Sequence, residues 1–285
     1  MTATITSDTA RLPAMLTQLR LPTVARLWPT ISETADRDGW PAARTLAALL
    51  EHEIAERAQR RIARHLLEAK LPPGKTLAGF DFAAVSSLSK ARVVALAEGD
   101  AWLAQGTNIL LFGPPGVGKS HLAAALGHAL IDAGYRVLFT RTTDLVQQLQ
   151  AARQELRLAA TIEKLDKYHL LVLDDLSYVQ KSQAETSVLF ELISARYERR
   201  SLLITANQPF GAWNDIFPDP AMTVAAIDRL VHHAIILEMN THSYRRRSAE
   251  ARATARQTTL QPNQPQLTRR DDRRASQIPA GDHPN

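Results

Sequence analysis

The N-terminal part of the chain carries apolar residues at intervals of three and four positions. One helix face would contain Leu46, Leu49, Leu50, Ile54, Ala58, Ile62 and Leu66. This spacing predicts a long amphipathic helix within a helical region at residues 12–70. The helix is expected to end before Pro72-Pro73-Gly74, because proline and glycine interrupt helices.

From about residue 107 the pattern changes to short, uninterrupted apolar runs that alternate with helical patterns. The runs are NILLF, RVLFT, HLLVLDDL, SLLITAN and AIILEM. Continuous apolar runs are typical of strands buried on both faces, as in a parallel sheet covered by helices. The predicted fold class is therefore α/β, with a central parallel sheet flanked by helices and a small all-helical domain before it.

These changes of pattern divide the chain into four segments. We predict a helical N-terminal domain at residues 1–72 and a linker and lead-in to the core at residues 73–106. The α/β core is predicted at residues 107–250, and a basic tail at residues 251–285.

The composition is that of an ordinary soluble globular protein, with 45% hydrophobic and 22% charged residues. No apolar run approaches the roughly 18 residues of a membrane span, and the N-terminus lacks the basic and apolar blocks of a signal peptide. Cysteine is absent, which excludes disulfides, thiolate chemistry and cysteine-based zinc sites. We therefore expect a cytoplasmic protein with no membrane partner.

The net charge of +5 is concentrated near the C-terminus. Residues 241–285 hold nine arginines against four acidic residues, so this segment alone accounts for the whole net charge. Residues 256–285 are expected to form a disordered, solvated tail, because they have few apolar side chains to bury. Transient contact with phosphates is the alternative.

The segment GPPGVGKS follows the run NILLF and precedes a helical pattern. Its glycines allow the backbone to curl and point N–H groups at phosphate oxygens, and the next helix adds the positive end of its dipole. Lys119 is expected to reach the β- and γ-phosphates, and the Ser120 hydroxyl to ligate Mg²⁺. A plain glycine turn is the alternative. The predicted nucleotide-binding residues are Gly113, Pro114, Pro115, Gly116, Val117, Gly118, Lys119, Ser120 and His121.

Polar side chains end two of the later apolar runs. Asp174 and Asp175 end LLVLDDL, where a carboxylate is costly unless it meets a cation or hydrogen-bond donors. Asp174 fits the acid that holds Mg²⁺, and Asp175 fits the base that activates water. Asn207 follows the run SLLITA and is predicted to orient the attacking water, with a turn or cap residue as the alternative.

Taken together, these residues resemble the AAA+ ATPases, and more narrowly the clade of DnaC helicase loaders and IstB transposition helpers. The motifs occur in the family's order, as GPPGVGKSHLA, TTDLVQQL, LLVLDDLSYV, LLITANQPFGAW, AAIDRL and SYRRR. The segments LRLPTVARLW and KTLAGFDF also resemble the region before the ATPase core of IstB-like proteins, which favours IstB over DnaC. The resemblance covers about residues 12–250. It implies that residues 107–250 form an AAA+ ATPase domain whose cofactors are ATP and Mg²⁺.

The resemblance also implies roles for two arginines. Arg229 matches the arginine that reaches the ATP of a neighbouring subunit in a homo-oligomer, and Arg245 matches the second sensor of its own subunit. An ion pair with Asp228 is the alternative for Arg229, and simple surface charge is the alternative at residues 245–247. The family commonly has Glu where Asp175 stands, so we expect slow hydrolysis that acts as a timer.

Basic residues after the second apolar run are candidates for contact with the DNA backbone. On one continuous helix, four of them would share a side: Arg153, Arg157, Lys164 and Lys167. Members of this clade carry an extra helical element in this area that lines a DNA channel. A solvated face is the alternative, because acidic residues interleave.

A second basic stripe lies on the long N-terminal helix. It consists of Arg57, Arg60, Arg61 and Arg64. The spacing Glu53–Arg57 and Glu56–Arg60 favours ion pairs along the helix, and therefore a solvated face over a DNA contact.

The leading hypothesis is a helper of DNA transposition. Subunits would assemble with ATP on double-stranded target DNA, without base-specific contacts, and recruit and stimulate a partner transposase. A replicative helicase loader of the DnaC type is the runner-up, and the two differ in partner. A small-molecule P-loop kinase is a third hypothesis, but it would need no arginine from a neighbouring subunit.

Overall fold

The computed structural model describes residues 2–176, 182–209, 213 and 219–241. Arg245 and the tail at residues 251–285 lie outside these residues, so the statements above about them stay predictions.

Ten α-helices and five strands lie within the described residues. The helices are α1 (Thr2–Gln18), α2 (Pro22–Asp38), α3 (Ala42–Glu68), α4 (Lys90–Glu98), α5 (Asp100–Ala104), α6 (Lys119–Asp132), α7 (Thr142–Gln154), α8 (Leu158–Leu165), α9 (Gln183–Arg196) and α10 (Pro220–Val231). The strands are β1 (Asn108–Phe112), β2 (Val137–Arg141), β3 (Leu170–Asp174), β4 (Ser201–Ala206) and β5 (Ala234–Glu238). A short 3₁₀ helix spans Phe82–Ala84.

The five strands form one parallel sheet in the order β2-β3-β4-β1-β5. Strand β4 therefore lies between β1 and β3, although it follows both in sequence. Phe112 at the end of β1 is level with Ala206 at the end of β4, and Leu173 of β3 is level with Ile204. The segments that follow these three strands therefore leave the sheet at the same edge.

Each strand contributes side chains to a separate apolar core on each face of the sheet. In β1, Leu110 and Phe112 face the core formed with helices α7 to α10, whereas Ile109 and Leu111 face the core formed with α4, α5 and α6. This arrangement confirms that β1, β3 and β4 are strands buried on both faces, as predicted, whereas β5 at the edge of the sheet is only partly buried and exposes Ile236.

The N-terminal helices have a small apolar core of their own. Leu16 of α1, Val24 of α2 and Leu49 of α3 are its buried residues. The last part of α3 reaches the sheet, where Ala69 accepts a hydrogen bond from the N–H of Phe139 at 2.8 Å. Helix α3 ends at Glu68, before the Pro-Pro-Gly sequence as predicted.

The buried face of α3 differs from the predicted one. Of the residues assigned to that face Leu49 is buried, but Leu46, Leu50 and Ile54 are exposed, Ile54 at 68%. Helix α3 instead turns Glu53 inward, where its carboxylate Oε2 accepts hydrogen bonds from the N–H groups of Thr23 and Val24. The first turn of α2 thus gains an acidic cap that an apolar pattern cannot reveal.

The basic stripe of α3 is partly engaged by the same carboxylate. Arg57 Nε donates to Glu53 Oε1 at 2.8 Å, as the spacing predicts. Arg60 also donates to Glu53, whereas Glu56 accepts from the Thr23 hydroxyl at 3.0 Å. The pairing of Arg57 follows the prediction, and Arg60 has a different acidic partner from the predicted one.

The lead-in segment contributes to the main core. Helices α4 and α5 bury Val93, Leu96, Trp102 and Leu103 against the side of the sheet that carries α6. The Trp102 indole donates to the carbonyl of Leu96 at 3.0 Å.

The prediction of one continuous helix after β2 is wrong. Helix α7 ends at Gln154 and α8 begins at Leu158. Leu156 between them has a positive φ of 56°, and the N–H of Arg157 turns back to the carbonyl of Ala152 at 2.7 Å. The break lets Leu158 and Ile162 of α8 join the core of this face.

None of the helices among the described residues has the length and apolar character needed to cross a membrane.

Candidate nucleotide site

The glycine-rich loop links β1 to α6 and owes its path to residues without Cβ atoms. Gly113 has φ of 152°, and a Cβ there would lie 2.5 Å from the carbonyl oxygen of Met239. Gly116 and Gly118 also have positive φ, of 84° and 105°. Gly118 is the N-cap of α6 and offers no side-chain cap, as suits a helix start whose backbone N–H groups are to bind phosphate.

Lys119 lies inside this loop and is 7% exposed. Its ammonium Nζ donates to the carbonyls of Gly113 and Pro114 at 2.7 and 2.9 Å, and to Asn207 Oδ1 at 2.7 Å. These oxygens compensate the burial of the charge. The predicted phosphate-binding lysine is therefore directly connected to the end of β4.

Asn207 joins the lysine to the acid pair. Its amide Nδ2 donates to Asp175 Oδ1 at 3.2 Å, while its Oδ1 accepts from Lys119. The structure thus brings together three predicted catalytic residues, Lys119, Asp175 and Asn207, in one chain of hydrogen bonds.

Thr205 anchors the acid pair from inside β4 and is not among the site residues predicted from the sequence. Its hydroxyl donates to Asp174 Oδ1 at 2.7 Å and accepts from the N–H of Asp175 at 2.8 Å. Asp175 has a positive φ of 65°, which is unusual outside glycine. The available signal was a hydroxyl residue in an otherwise apolar run, two positions before Asn207.

The oxygen groups near the loop suit a magnesium ion. Mg²⁺ prefers hydroxyl, carboxylate and phosphate oxygens and retains several waters. Ser120 offers a hydroxyl at the start of α6, and Asp174 offers a carboxylate at the end of β3. The donor chemistry therefore fits the cation, and these two residues would hold it together with the nucleotide.

His121 faces the lead-in segment. Its Nε2 lies 3.2 Å from the carbonyl oxygen of Thr76, and its ring meets the Phe80 ring edge-on at a centroid distance of 5.4 Å. Burial lowers the pKa of His121 below its ordinary value. The imidazole thus packs against residues 76–80. The predicted contact of His121 with the nucleotide would therefore come from its backbone N–H.

Arg229 lies in the last turn of α10 and is half-buried. Its Nη1 donates to the carbonyl of Ala225 at 2.9 Å, and its guanidinium carbon lies 5.0 Å from the centre of the Phe190 ring. The predicted action on a neighbouring subunit stays a prediction. Arg245 lies outside the described residues.

The four predicted DNA contacts do not share one helix face. Arg153 on α7 donates to the Ser187 hydroxyl at 3.0 Å and pairs with Glu191, both on α9. Arg157 lies in the break after α7 and pairs with Glu155.

The other two basic residues lie further along. Lys164 is exposed on α8, and Lys167 follows that helix, 3.8 Å from Glu68 and 4.8 Å from the centre of the Tyr168 ring. Contact of any of the four with DNA stays a prediction.

Comparison with known proteins gives one family and one fold. The family described as IstB-like ATP binding protein matches residues 14–252. The insertion sequence ATP-binding protein y4iQ/y4nD/y4sD of Sinorhizobium fredii is 72% identical over 244 residues, which are 86% of this chain and 82% of that protein. The IS5376 ATP-binding protein of Geobacillus stearothermophilus is 36% identical over 81% of this chain and 91% of its own length.

Among solved structures, the DnaC helicase loader has a similar fold. It superposes with a TM-score of 0.50 at 21% identity and covers 59% of this chain and 97% of the loader. Together with the five-stranded parallel sheet, this likeness confirms the predicted AAA+ P-loop fold.

Proposed function

This chain belongs to the family of IstB-like ATP binding proteins, and we propose that it is an ATP-dependent helper of DNA transposition. Family and fold agree on an AAA+ ATPase. We further propose that its subunits assemble with ATP on double-stranded target DNA and recruit and stimulate a partner transposase. The relatives described above are insertion sequence proteins by name, which supports this role.

One observation carries the chemical part of this proposal. Strand β4 lies between β1 and β3, and so Lys119, Asp175 and Asn207 meet in one chain of hydrogen bonds. A phosphate cradle, an acid and a polar amide at one sheet edge are the parts that hydrolysis of a nucleotide needs.

The residues would divide the work as follows. Backbone N–H groups of the loop and the Lys119 ammonium bind the phosphates, while Ser120 and Asp174 hold Mg²⁺. Mg²⁺, when bound, neutralises charge on the β- and γ-phosphates. Asp175 accepts a proton from the attacking water, and Asn207 fixes the direction of that water.

Hydrolysis is expected to be slow. Asp175 is one methylene shorter than the glutamate that is common at this position, and its carboxylate already accepts a hydrogen bond from Asn207. A slow ATPase suits a timer that limits how long the assembly stays on DNA. We place this work in the cytoplasm, and the ATP site is shared between subunits through Arg229.

Binding to DNA would depend mainly on phosphate contacts. Such binding weakens steeply with salt and varies little with sequence. A salt titration on two unrelated duplexes should therefore give equal slopes. A strong preference for one sequence at every salt concentration would contradict this part of the proposal.

The decisive experiment combines assembly with partner identity. The purified chain is mixed with duplex DNA and a non-hydrolysable ATP analogue, and particle mass is measured. We expect large particles that need both DNA and nucleotide. Lys119→Ala should prevent their formation, whereas Lys90→Ala, an exposed lysine on α4, should not.

Co-purification from cells then identifies the partner. Recovery of a transposase supports the proposal, and recovery of a replicative helicase would support a loader of the DnaC type instead. Particles of constant mass with and without DNA and nucleotide would contradict assembly on target DNA.

A further inference from the structure

Thr205 is the one buried hydroxyl among the described residues that contacts both members of the acid pair. Its side chain is on β4, and the residue is 1% exposed. The hydroxyl donates to the Asp174 carboxylate at 2.7 Å and accepts from the Asp175 N–H at 2.8 Å. Its single proton is thus committed to the carboxylate.

The hydrogen bond to Asp174 fixes which way that carboxylate turns. A hydroxyl bound to a carboxylate is a short, charge-assisted contact, stronger than one between neutral groups. Because the Thr205 side chain is itself held in the buried strand, this hydrogen bond selects one rotamer of the half-buried acid. In another rotamer, Asp174 would not present the same carboxylate oxygen to a cation.

The second hydrogen bond acts on the backbone of Asp175. This residue has φ of 65°, a conformation that is uncommon for non-glycine residues, although aspartate adopts it more readily than most. The hydrogen bond from its N–H to Thr205 helps to hold that conformation, and the conformation sets where the Asp175 side chain leaves the strand. One hydroxyl therefore positions both acids.

Thr142 supports the same strand end in a different way. Its hydroxyl donates to the backbone carbonyl of Asp174 at 3.0 Å. That contact holds the main chain but leaves the rotamer of the carboxylate undetermined. The control of the side chain therefore belongs to Thr205.

We propose that Thr205 is a positioning residue that orients Asp174 for Mg²⁺ and fixes Asp175 beside it. The proposal rests on the role of Asp174 in holding the cation, which is part of the proposed function. Thr205 itself would touch neither nucleotide nor metal.

The test compares nucleotide binding with and without Mg²⁺ in three variants of the full chain. Thr205→Val keeps the shape and removes the hydroxyl, Thr205→Ser keeps the hydroxyl, and Thr186→Val removes a buried hydroxyl that bonds within α9. A fluorescent ATP analogue reports binding, first in excess chelator and then across a Mg²⁺ titration.

Thr205→Val is expected to bind nucleotide as wild type does in chelator, within about twofold. The Mg²⁺ concentration for half-maximal effect should rise about 10- to 100-fold, as is typical when a residue that orients a metal ligand is lost. Thr205→Ser should restore it to within about threefold, and Thr186→Val should not shift it. Equal weakening in chelator and in Mg²⁺ would overturn the proposal, because it would show a merely structural role.

Two further variants keep the outcome decisive. If Thr205→Val does not fold, Thr205→Cys replaces it, since a thiol has nearly the same size but is a weak donor. Asp174→Asn separates the two proposals. If it shifts the Mg²⁺ dependence and Thr205→Val does not, Thr205 is not the positioning residue. If neither variant shifts it, the assignment of Asp174 to the metal has failed as well.

Discussion

At the scale of single residues, the path of the phosphate loop depends on positions where a side chain would not fit. Gly113 shows this most clearly, because the carbonyl of Met239 after β5 fills the space in which a Cβ would lie. The phosphate loop is therefore packed against the end of the sheet. Its shape is set by the sheet as much as by its own glycines.

Gly113→Ala is expected to destabilise the fold by about 2–4 kcal/mol, the sum of an overpacked contact and an unfavourable φ. Nucleotide binding should be lost with it, because the loop must move away from Met239. Urea unfolding and a binding titration measure the two effects.

Gly79→Ala is the matched control. A Cβ at Gly79 would meet the Thr76 hydroxyl at an ordinary 3.6 Å, so stability should change by less than about 1 kcal/mol. If the two variants unfolded at the same urea concentration, the close contact at Gly113 would not matter.

At the scale of elements, the N-terminal helices are joined by a buried acid. Burial would by itself raise the pKa of Glu53, but the hydrogen bonds from Arg57, Val24 and Thr23 outweigh it, and the pKa is lowered. A carboxylate with a lowered pKa stabilises the folded state above its unfolded pKa. That contribution is lost as the pH falls through its folded value.

Glu53→Gln should therefore loosen α2 most at neutral pH. We expect the protection of α2 amides against hydrogen exchange to fall by about 1 kcal/mol at pH 7, as for loss of a helix cap. The difference from wild type should shrink below the ordinary pKa of a glutamate. Glu51→Gln, an exposed change on the same helix, is the control, and a difference independent of pH would contradict this account.

The elements also show what the sequence could predict. Strand ends follow directly from the apolar runs, and so Asp174, Asp175 and Asn207 could be assigned to one edge of a parallel sheet. For Thr205 the sequence shows only a hydroxyl in an apolar run, because its partner Asp174 is reached across strands once β4 lies beside β3.

Two misassignments have a common cause. Glu53 is polar yet buried, and Leu156 takes a positive φ without being glycine or asparagine. In both places tertiary contacts override the local preference. The hydrogen bonds from α2 to Glu53 set which face of α3 is buried. The packing of α8 on the core ends α7 before α8 begins.

At the scale of the whole molecule, the proposed function assigns Arg229 to the ATP of a neighbouring subunit. Within its own chain Arg229 contacts Ala225 and the Phe190 ring. A contact of that kind with an aromatic ring stabilises by about 1 kcal/mol. An arginine supplied to a transferring phosphate raises the rate about 10³- to 10⁵-fold, which corresponds to about 4–7 kcal/mol of transition-state stabilisation. The contacts described here would therefore not prevent Arg229 from reaching across.

Mixing of two inactive variants tests this directly. Arg229→Ala and Asp175→Asn should each lack DNA-stimulated hydrolysis but still bind nucleotide and assemble. A one-to-one mixture should recover about a quarter of the wild-type rate, because an intact Asp175 then meets an intact Arg229 at about one interface in four. Arg229→Ala should still bind nucleotide. No recovery in mixtures that do assemble would place Arg229 in its own subunit's site, or outside the chemistry.

The strand order also sets when the site can form during synthesis. A growing chain that ends before Ser201 contains the loop after β1 and the acids at the end of β3, but not the strand that lies between them. The loop and the acids are not held at the same edge of one sheet until β4 has left the ribosome and can pair with β1 and β3. A nascent chain therefore gains this site only after Ser201–Ala206 of β4 have been synthesised and have left the ribosome.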